Sequence, residues 1–348
     1  MSNQLNYTQQ KFDVLAELQD LFYNITQENA EEVSSFLENK VFIEDSDPFG
    51  IEIGYSVLRL ASSIVYIKPH LYDILVQILS KFQSYINIAD SFCDFDISDE
   101  KVYLRSVILI SIYLQIKDHI DNIPMFLYHC QPNSIYHLAP EIKTHSNVIT
   151  RYKYFQEFME FLNLPIEELY ARRNTLHRND EIYQIIKEDD VNKLQEYISS
   201  KNFDINTTIP ESYEEFHIMT KWIYLVQYAA YFGAIKCFKF LFMNQSHEFN
   251  DTIIEYAVAG GNFDIIHLIE TKEEYTSEHL NIAIEFMHDD LLDYIHHNGI
   301  NFTADNISEC IRVSNYKVLL KIYNEVHNED KNKTSGIFNE YDNIGIFM

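Results

Sequence analysis

Fourteen histidines and four cysteines are the residues of this chain that could hold a metal or act as a nucleophile. Their tightest grouping is His129-Cys130 with His137, in the segment HCQPNSIYH. A tetrahedral zinc site needs four ligands, usually as two closely spaced pairs, and no second Cys/His pair at such spacing accompanies this one. Cys93, Cys130, Cys237 and Cys310 are far apart and form no CxxC pair, which is the usage of a reduced cytosolic protein. Paired carboxylates occur at Asp189-Asp190 and Glu273-Glu274. Acid–base catalysis needs such a pair in a cleft that raises one pKa, whereas these fall at turns and helix ends. His296-His297 reads as a helix end, where imidazole suits the dipole, and His288-Asp289-Asp290 reads as a turn that starts a helix. No G-x-S-x-G, phosphate-loop, dinucleotide-binding or kinase pattern occurs, and Gly260-Gly261 is too short to cradle a phosphate. The expectation is a protein that is not an enzyme, with no catalytic residues, no metal and no cofactor. The alternative is an enzyme with an unrecognised site in residues 1–175.

The chain's composition points away from several other classes. A net charge of −27, spread along the chain, repels phosphate backbones and argues against nucleic-acid binding. The apolar run around Val107–Leu114 is too short to span a bilayer, so no membrane insertion is expected. The N-terminus lacks the basic and apolar regions of a signal peptide, which points to a cytoplasmic location. Eight glycines and seven prolines are too few for a turn-rich β fold, and no proline follows Pro210. With 47% hydrophobic residues the chain can bury a large core.

Helical periodicity dominates the elements that would position any site. In residues 1–175 apolar residues recur at helical spacing over Phe12–Phe22, Ala30–Leu37, Tyr55–Tyr66, Leu71–Phe82, Val102–Ile116, Ile123–His129 and Arg151–Leu162. Short helices joined by short breaks read as stacked antiparallel hairpins.

Residues 180–326 repeat themselves. A small or apolar position recurs as Ile185, Ala229, Ala257, Ala283 and Cys310, and the last three intervals are 28, 26 and 27 residues. The first interval is 44, which implies an insertion, expected to be a mobile loop over Thr207–Lys221. Six residues past each anchor stand Val191, Ile235, Phe263, Asp289 and Tyr316; nine past stand Leu194, Phe238, Ile266, Leu292 and Leu319. Twelve past stand Tyr197, Leu241, Ile269, Ile295 and Ile322. Each unit therefore reads as a helix, a tight turn and a second helix, with the anchor where one hairpin presses on the next. No such unit can bury its apolar face alone, so the units must stack. From His327 the sequence is polar and reads as a disordered tail over 327–348.

These units resemble ankyrin repeats, whose pattern runs AAxxGHxEIVKxLLxxGADVN. Ala229-Ala-Tyr-Phe-Gly233-Ala-Ile-Lys-Cys-Phe and Ala257-Val-Ala-Gly-Gly261-Asn-Phe-Asp-Ile-Ile match its first half. Tyr294-Ile-His-His-Asn-Gly299-Ile-Asn-Phe-Thr303 and Tyr197-Ile-Ser-Ser-Lys-Asn202-Phe-Asp-Ile-Asn206 match its second half. The family's TPLH box is absent, the spacing is shorter than its usual 33, and Met287 and Ser314 stand where the turn glycine would be. In style the whole chain is similar to the uncharacterised ankyrin-like proteins expanded in parasitic protists. The resemblance implies an all-α solenoid of stacked helix-turn-helix repeats with a helical N-terminal half. It also implies a non-catalytic scaffold that binds a protein partner on its concave face, lined by the first helices. The positions it assigns to that face are Tyr231, Phe232, Glu255, Glu285, Phe286 and Arg312, with Phe232 and Phe286 equally able to pack between units. Aromatics beside carboxylates suit a partner with apolar and basic side chains.

Ala257→Leu is expected to overpack the anchor contact and cost about 1–3 kcal/mol. Urea unfolding checks this, and an unchanged midpoint would remove the anchor assignment.

Overall fold

A computed structural model of the chain describes residues 2–42, 51–86, 100–117, 136–144, 159–175, 180–210, 215, 223–245, 252–270 and 274–329. Among the described residues the structure is almost wholly helical. In chain order the helices are α1 Ser2–Tyr23, α2 Ala30–Phe36, α3 Ile51–Ile67, α4 Tyr72–Ser80, α5 Glu100–Lys117, α6 Ala139–Thr144, α7 Met159–Leu162, α8 Ile166–Thr175 and α9 Glu181–Lys187. They continue with α10 Val191–Lys201, α11 Leu225–Tyr231, α12 Ile235–Asn244, α13 Ile253–Gly260, α14 Phe263–Ile269, α15 Ser277–Glu285, α16 Asp289–His297, α17 Ala304–Arg312 and α18 Tyr316–Glu329. The chain divides into two compact units, one made of Met1–Leu176 with Cys310–Met348 and the other of His177–Glu309.

In the first unit α5 is buried nearly all round, with Leu104, Val107, Ile108, Leu109, Ile110 and Ile112 each almost inaccessible. That burial accounts for its unbroken apolar run, since a helix apolar on every face must be covered on every face. No helix among the described residues is long and apolar enough to cross a membrane. Helix α3 packs on α5, and its Val57, Leu58, Ala61 and Ile64 are inaccessible. The C-terminal helix α18 lies against α1, and Gln19 supplies the polar link. Its Nε2 donates to Asn315 Oδ1 at 2.9 Å and its Oε1 accepts from the Lys317 backbone N–H at 3.1 Å, so α1 caps the start of α18. Helix α18 persists to Glu329, so the first residues of the expected tail are helical, and 330–348 lie outside the described residues. Ile123–His129 and the first part of Arg151–Leu162 also lie outside them.

The repeating segments fold as hairpins whose turns share one geometry. Every second helix starts six residues past its anchor, at Val191, Ile235, Phe263, Asp289 and Tyr316. Four residues past the anchor the backbone is left-handed at Asp189, Gly233, Gly261, Met287 and Ser314, with φ of 52°, 64°, 66°, 57° and 57°. In four of these turns the N–H five past the anchor donates to the anchor carbonyl: Asp190 to Ile185, Ala234 to Ala229, His288 to Ala283 and Asn315 to Cys310. This satisfies carbonyls at the helix end that have no partner within the helix. Glycine takes a left-handed turn without cost, whereas Met287 and Ser314 bear roughly 1–2 kcal/mol each. Asn202, with φ of 49°, ends α10 in the same conformation, as its type predicts.

Neighbouring turns in the second unit are also tied to one another. Asp189 Oδ1 accepts from the N–H groups of Lys236 and Cys237 at 2.8 and 2.9 Å, capping α12 from the preceding hairpin. Asn262 Nδ2 donates to Gly233 O at 2.9 Å, and His288 Nε2 meets Ala259 O at 2.8 Å. A carbonyl accepts only, so Nε2 carries the proton of His288. Anchors Ala229, Ala257 and Ala283 are inaccessible or nearly so. A Cβ on Gly260 would lie 2.2 Å from the Ala230 carbonyl oxygen, so α11 and α13 approach as closely as backbones allow.

Ser314 combines the left-handed strain with a buried hydroxyl that finds no hydrogen-bond partner among the described residues. Ser314→Gly is expected to stabilise the chain by about 1 kcal/mol, since relief of strain and of an unmet hydroxyl exceeds glycine's entropic cost. Chemical denaturation reads this directly, and a lower midpoint would contradict it. The same change at Gly261 in reverse, Gly261→Ala, should destabilise, because the new Cβ would lie 2.6 Å from the His288 ring.

Candidate interaction surface

The six residues assigned to a binding face do not form an open one. Tyr231, Glu285 and Phe286 are buried, at 8%, 2% and 2% exposure. Phe232, Glu255 and Arg312 are half-buried. The expected exposure of Tyr231 and Glu285 is therefore corrected, Phe286 takes its alternative of packing between units, and for Tyr231 the cause is the close approach at Gly260. With no side chain there, the Tyr231 ring reaches past α13 to meet Phe286 edge-on, with centroids 5.7 Å apart and planes at 83°. Phe286 in turn stacks on His288, at 6.5 Å and 15°. Contacts of this kind hold hairpins together rather than wait for a partner. Arg312 belongs to the other compact unit.

Of the expected mobile loop Thr207–Lys221 only 207–210 and Glu215 are among the described residues, and these are held in place. Thr208–Ile209 and Ile223–Tyr224 pair as a short antiparallel ladder. Between them Glu215 is buried, its Oε1 2.5 Å from Lys187 Nζ and accepting from the Tyr228 hydroxyl at 2.8 Å. Lys187 Nζ also stands 4.8 Å from the Phe232 ring centroid, and that ring packs on Tyr228 at 4.6 Å. A carboxylate this deep, whose side chain is 1% exposed, is tolerable only because a cation and a donor meet it. Nothing in the sequence marks Glu215 apart from its neighbours Glu211 and Glu214.

A second polar cluster gathers around Glu270, which closes α14. Its Oε2 accepts from the Tyr294 hydroxyl at 2.7 Å and the Tyr275 hydroxyl at 3.3 Å, and its Oε1 lies 3.0 Å from His267 Nδ1. Burial alone would raise this carboxyl's pKa, but the hydrogen bonds from Tyr294 and His267 prevail and hold it below the ordinary range. The contribution to stability is thus present above the unfolded carboxyl value and fades as pH falls through the lower folded one. Tyr294 and Tyr275 shift upward, the former mainly through its bond to Glu270, the latter mainly through burial.

The residues with nucleophilic or metal-binding potential are occupied structurally. Burial and the nearby Asp189 push the Cys237 thiol up to about 12, so it carries negligible thiolate at neutral pH. His279 has its pKa lowered by burial, and its Nδ1 accepts from the Thr276 N–H at 2.9 Å, closing the start of α15. His137 is buried and its carbonyl accepts from Arg173, while His129 and Cys130 lie outside the described residues. In the first unit Arg173 Nη1 donates to both Glu141 oxygens, at 2.8 and 2.9 Å, beneath the rings of Tyr72 and Tyr170. No group of three or more His, Cys, Asp or Glu able to hold a metal occurs among the described residues.

With this geometry in place, a single family match can be set beside it. A family described as a domain of unknown function, DUF3447, matches residues 244–322, the segment from the end of α12 into α18. No curated protein and no solved structure matches the chain.

Removing the Glu215 carboxylate leaves Lys187 nearly buried without its counter-charge. Glu215→Ala is expected to cost about 3–5 kcal/mol, the range for breaking one partner of a buried pair. Exposed Glu196→Ala should change stability by less than about 0.5 kcal/mol. Thermal melts compare the two, and equal effects would remove the anchoring role of Glu215.

Proposed function

We propose that the chain is a non-catalytic, cytoplasmic protein-binding scaffold whose hairpins form an ankyrin-like solenoid. The observation that carries this reading is the recurrence of one turn: five left-handed residues four past the anchor and five helix starts six past it. A chain that spends its sequence on repeating one hairpin gains extended surface, and extended surface serves binding. The match to DUF3447 supports it, since that domain is found in ankyrin-repeat-containing proteins. The shared turn also tolerates surface change between repeats without loss of fold, which is the property a recognition scaffold needs.

Of the first-helix positions in the second unit, Phe232 and Glu255 keep partial access to solvent. A combined Phe232→Ala, Glu255→Lys variant, checked for retained helicity, tests them. The partner is first captured with the full chain as bait, and its footprint is mapped by hydrogen exchange on the complex. Protection within 180–326 and a tenfold loss of affinity in the variant, about 1.4 kcal/mol, are expected. A footprint confined to 1–175 would overturn the scaffold reading of the repeats, and unchanged affinity would remove these two residues from the surface.

A further inference from the structure

Residues 252–309 carry twelve Asp or Glu and one basic residue, Lys272. Such uncompensated charge attracts cations over the whole segment, but long-range attraction does not by itself make a site. A site needs a carboxylate whose orientation is fixed before the partner arrives, and Glu270 meets that condition.

The Glu270 side chain is 26% exposed, so it is reachable, while His267 beside it is 50% exposed. Two phenol hydroxyls and one imidazole nitrogen pin it from three directions without cancelling its charge. A carboxylate offers about four lone-pair sites. Among the described residues the tyrosines take two on Oε2 and His267 takes one on Oε1, which leaves a place on Oε1. Rings surround it: Phe263 and Tyr294 meet at 5.6 Å and 87°, His267 and Tyr294 at 5.5 Å and 78°, Tyr275 and Tyr294 at 6.2 Å and 90°. Phe263, Tyr275 and Tyr294 are all half-buried rather than covered. Perpendicular rings beside a fixed carboxylate favour a planar, weakly hydrated cation that stacks on one face while donating to oxygen. Guanidinium has that shape, whereas ammonium is compact and strongly hydrated.

We infer that Glu270, with Tyr275, Tyr294, Phe263 and His267, is a docking site for an arginine side chain of a partner protein. This rests on the protein-binding reading and specifies the chemistry of what is bound. The acidity of the surrounding hairpins steers a basic segment toward the patch, and the aromatic-ringed carboxylate receives its arginine.

The test uses the full chain with carbon-13-labelled tyrosine rings, whose Tyr275 and Tyr294 signals are assigned from Tyr→Phe variants. The probe is acetyl-Gly-Arg-Gly-amide, compared with the same peptide carrying citrulline, the neutral isostere. The expected result is a saturable, millimolar displacement of both tyrosine signals by the arginine peptide, at least fivefold weaker with citrulline. Glu270→Gln should abolish the response. Asp305→Asn, which removes an exposed carboxylate elsewhere in the same acidic segment, should leave the response within about threefold. Unmoved signals, equal responses to the two peptides, or an undiminished response in Glu270→Gln would each overturn the proposal. These failures concern the patch alone, whereas a partner footprint confined to 1–175 would instead overturn the scaffold reading.

Discussion

The first helices α11 and α13 approach until backbone meets backbone at Gly260, and that distance governs the packing around it. It restricts the anchor positions to alanine at 229, 257 and 283 and strips the side chain from residue 260. At such separation a methyl group fills the space and anything larger must displace a helix. The same closeness brings the turns into register, so that Asp189, Asn262 and His288 each reach a neighbouring hairpin's backbone. Hairpins too small to fold alone thus share both an apolar seam and a polar one. The polar seam matters because helix ends expose N–H and C=O groups that burial would otherwise leave unmet.

Close packing also determines where recognition chemistry can reside. Aromatic residues on the first helices are drawn into the seam, as the Tyr231–Phe286 contact shows. Glu270, held by its tyrosines, and Phe232, lodged against Lys187, keep partial access to solvent.

Much of this was legible in the sequence, and the parts that were not share a cause. The anchors, the stripe at nine and twelve residues past them, and the helix ends at Asn202 and His297 follow from spacing and residue type. Left-handed backbone at Met287 and Ser314 was legible only through the register, which sets both where the turn glycine stands, because neither residue type advertises a positive φ. The burial of Tyr231 and Glu285 was not legible, because helical phase alone does not say how near the next helix lies. Gly260 held that information, and it reads as a turn residue until its contact with the Ala230 carbonyl is seen. Long-range polar links were out of reach for a different reason. Gln19 with Asn315, Glu141 with Arg173 and Lys187 with Glu215 join positions whose separation in sequence carries no periodic mark. All three sit where a buried group needs a partner, so each became visible only once burial was known.

The central claim is that the hairpins from Leu225 to His297 are stabilised by one another rather than singly. Native-state hydrogen exchange across 223–302 tests it most directly. The amides of α11, α13 and α15 around Ala229, Ala257 and Ala283 should share the highest opening free energy in their unit, equal within about 1 kcal/mol, because mutual stacking makes them open together. Hairpins that exchange independently, with each first helix opening more easily than its own second helix, would contradict the account.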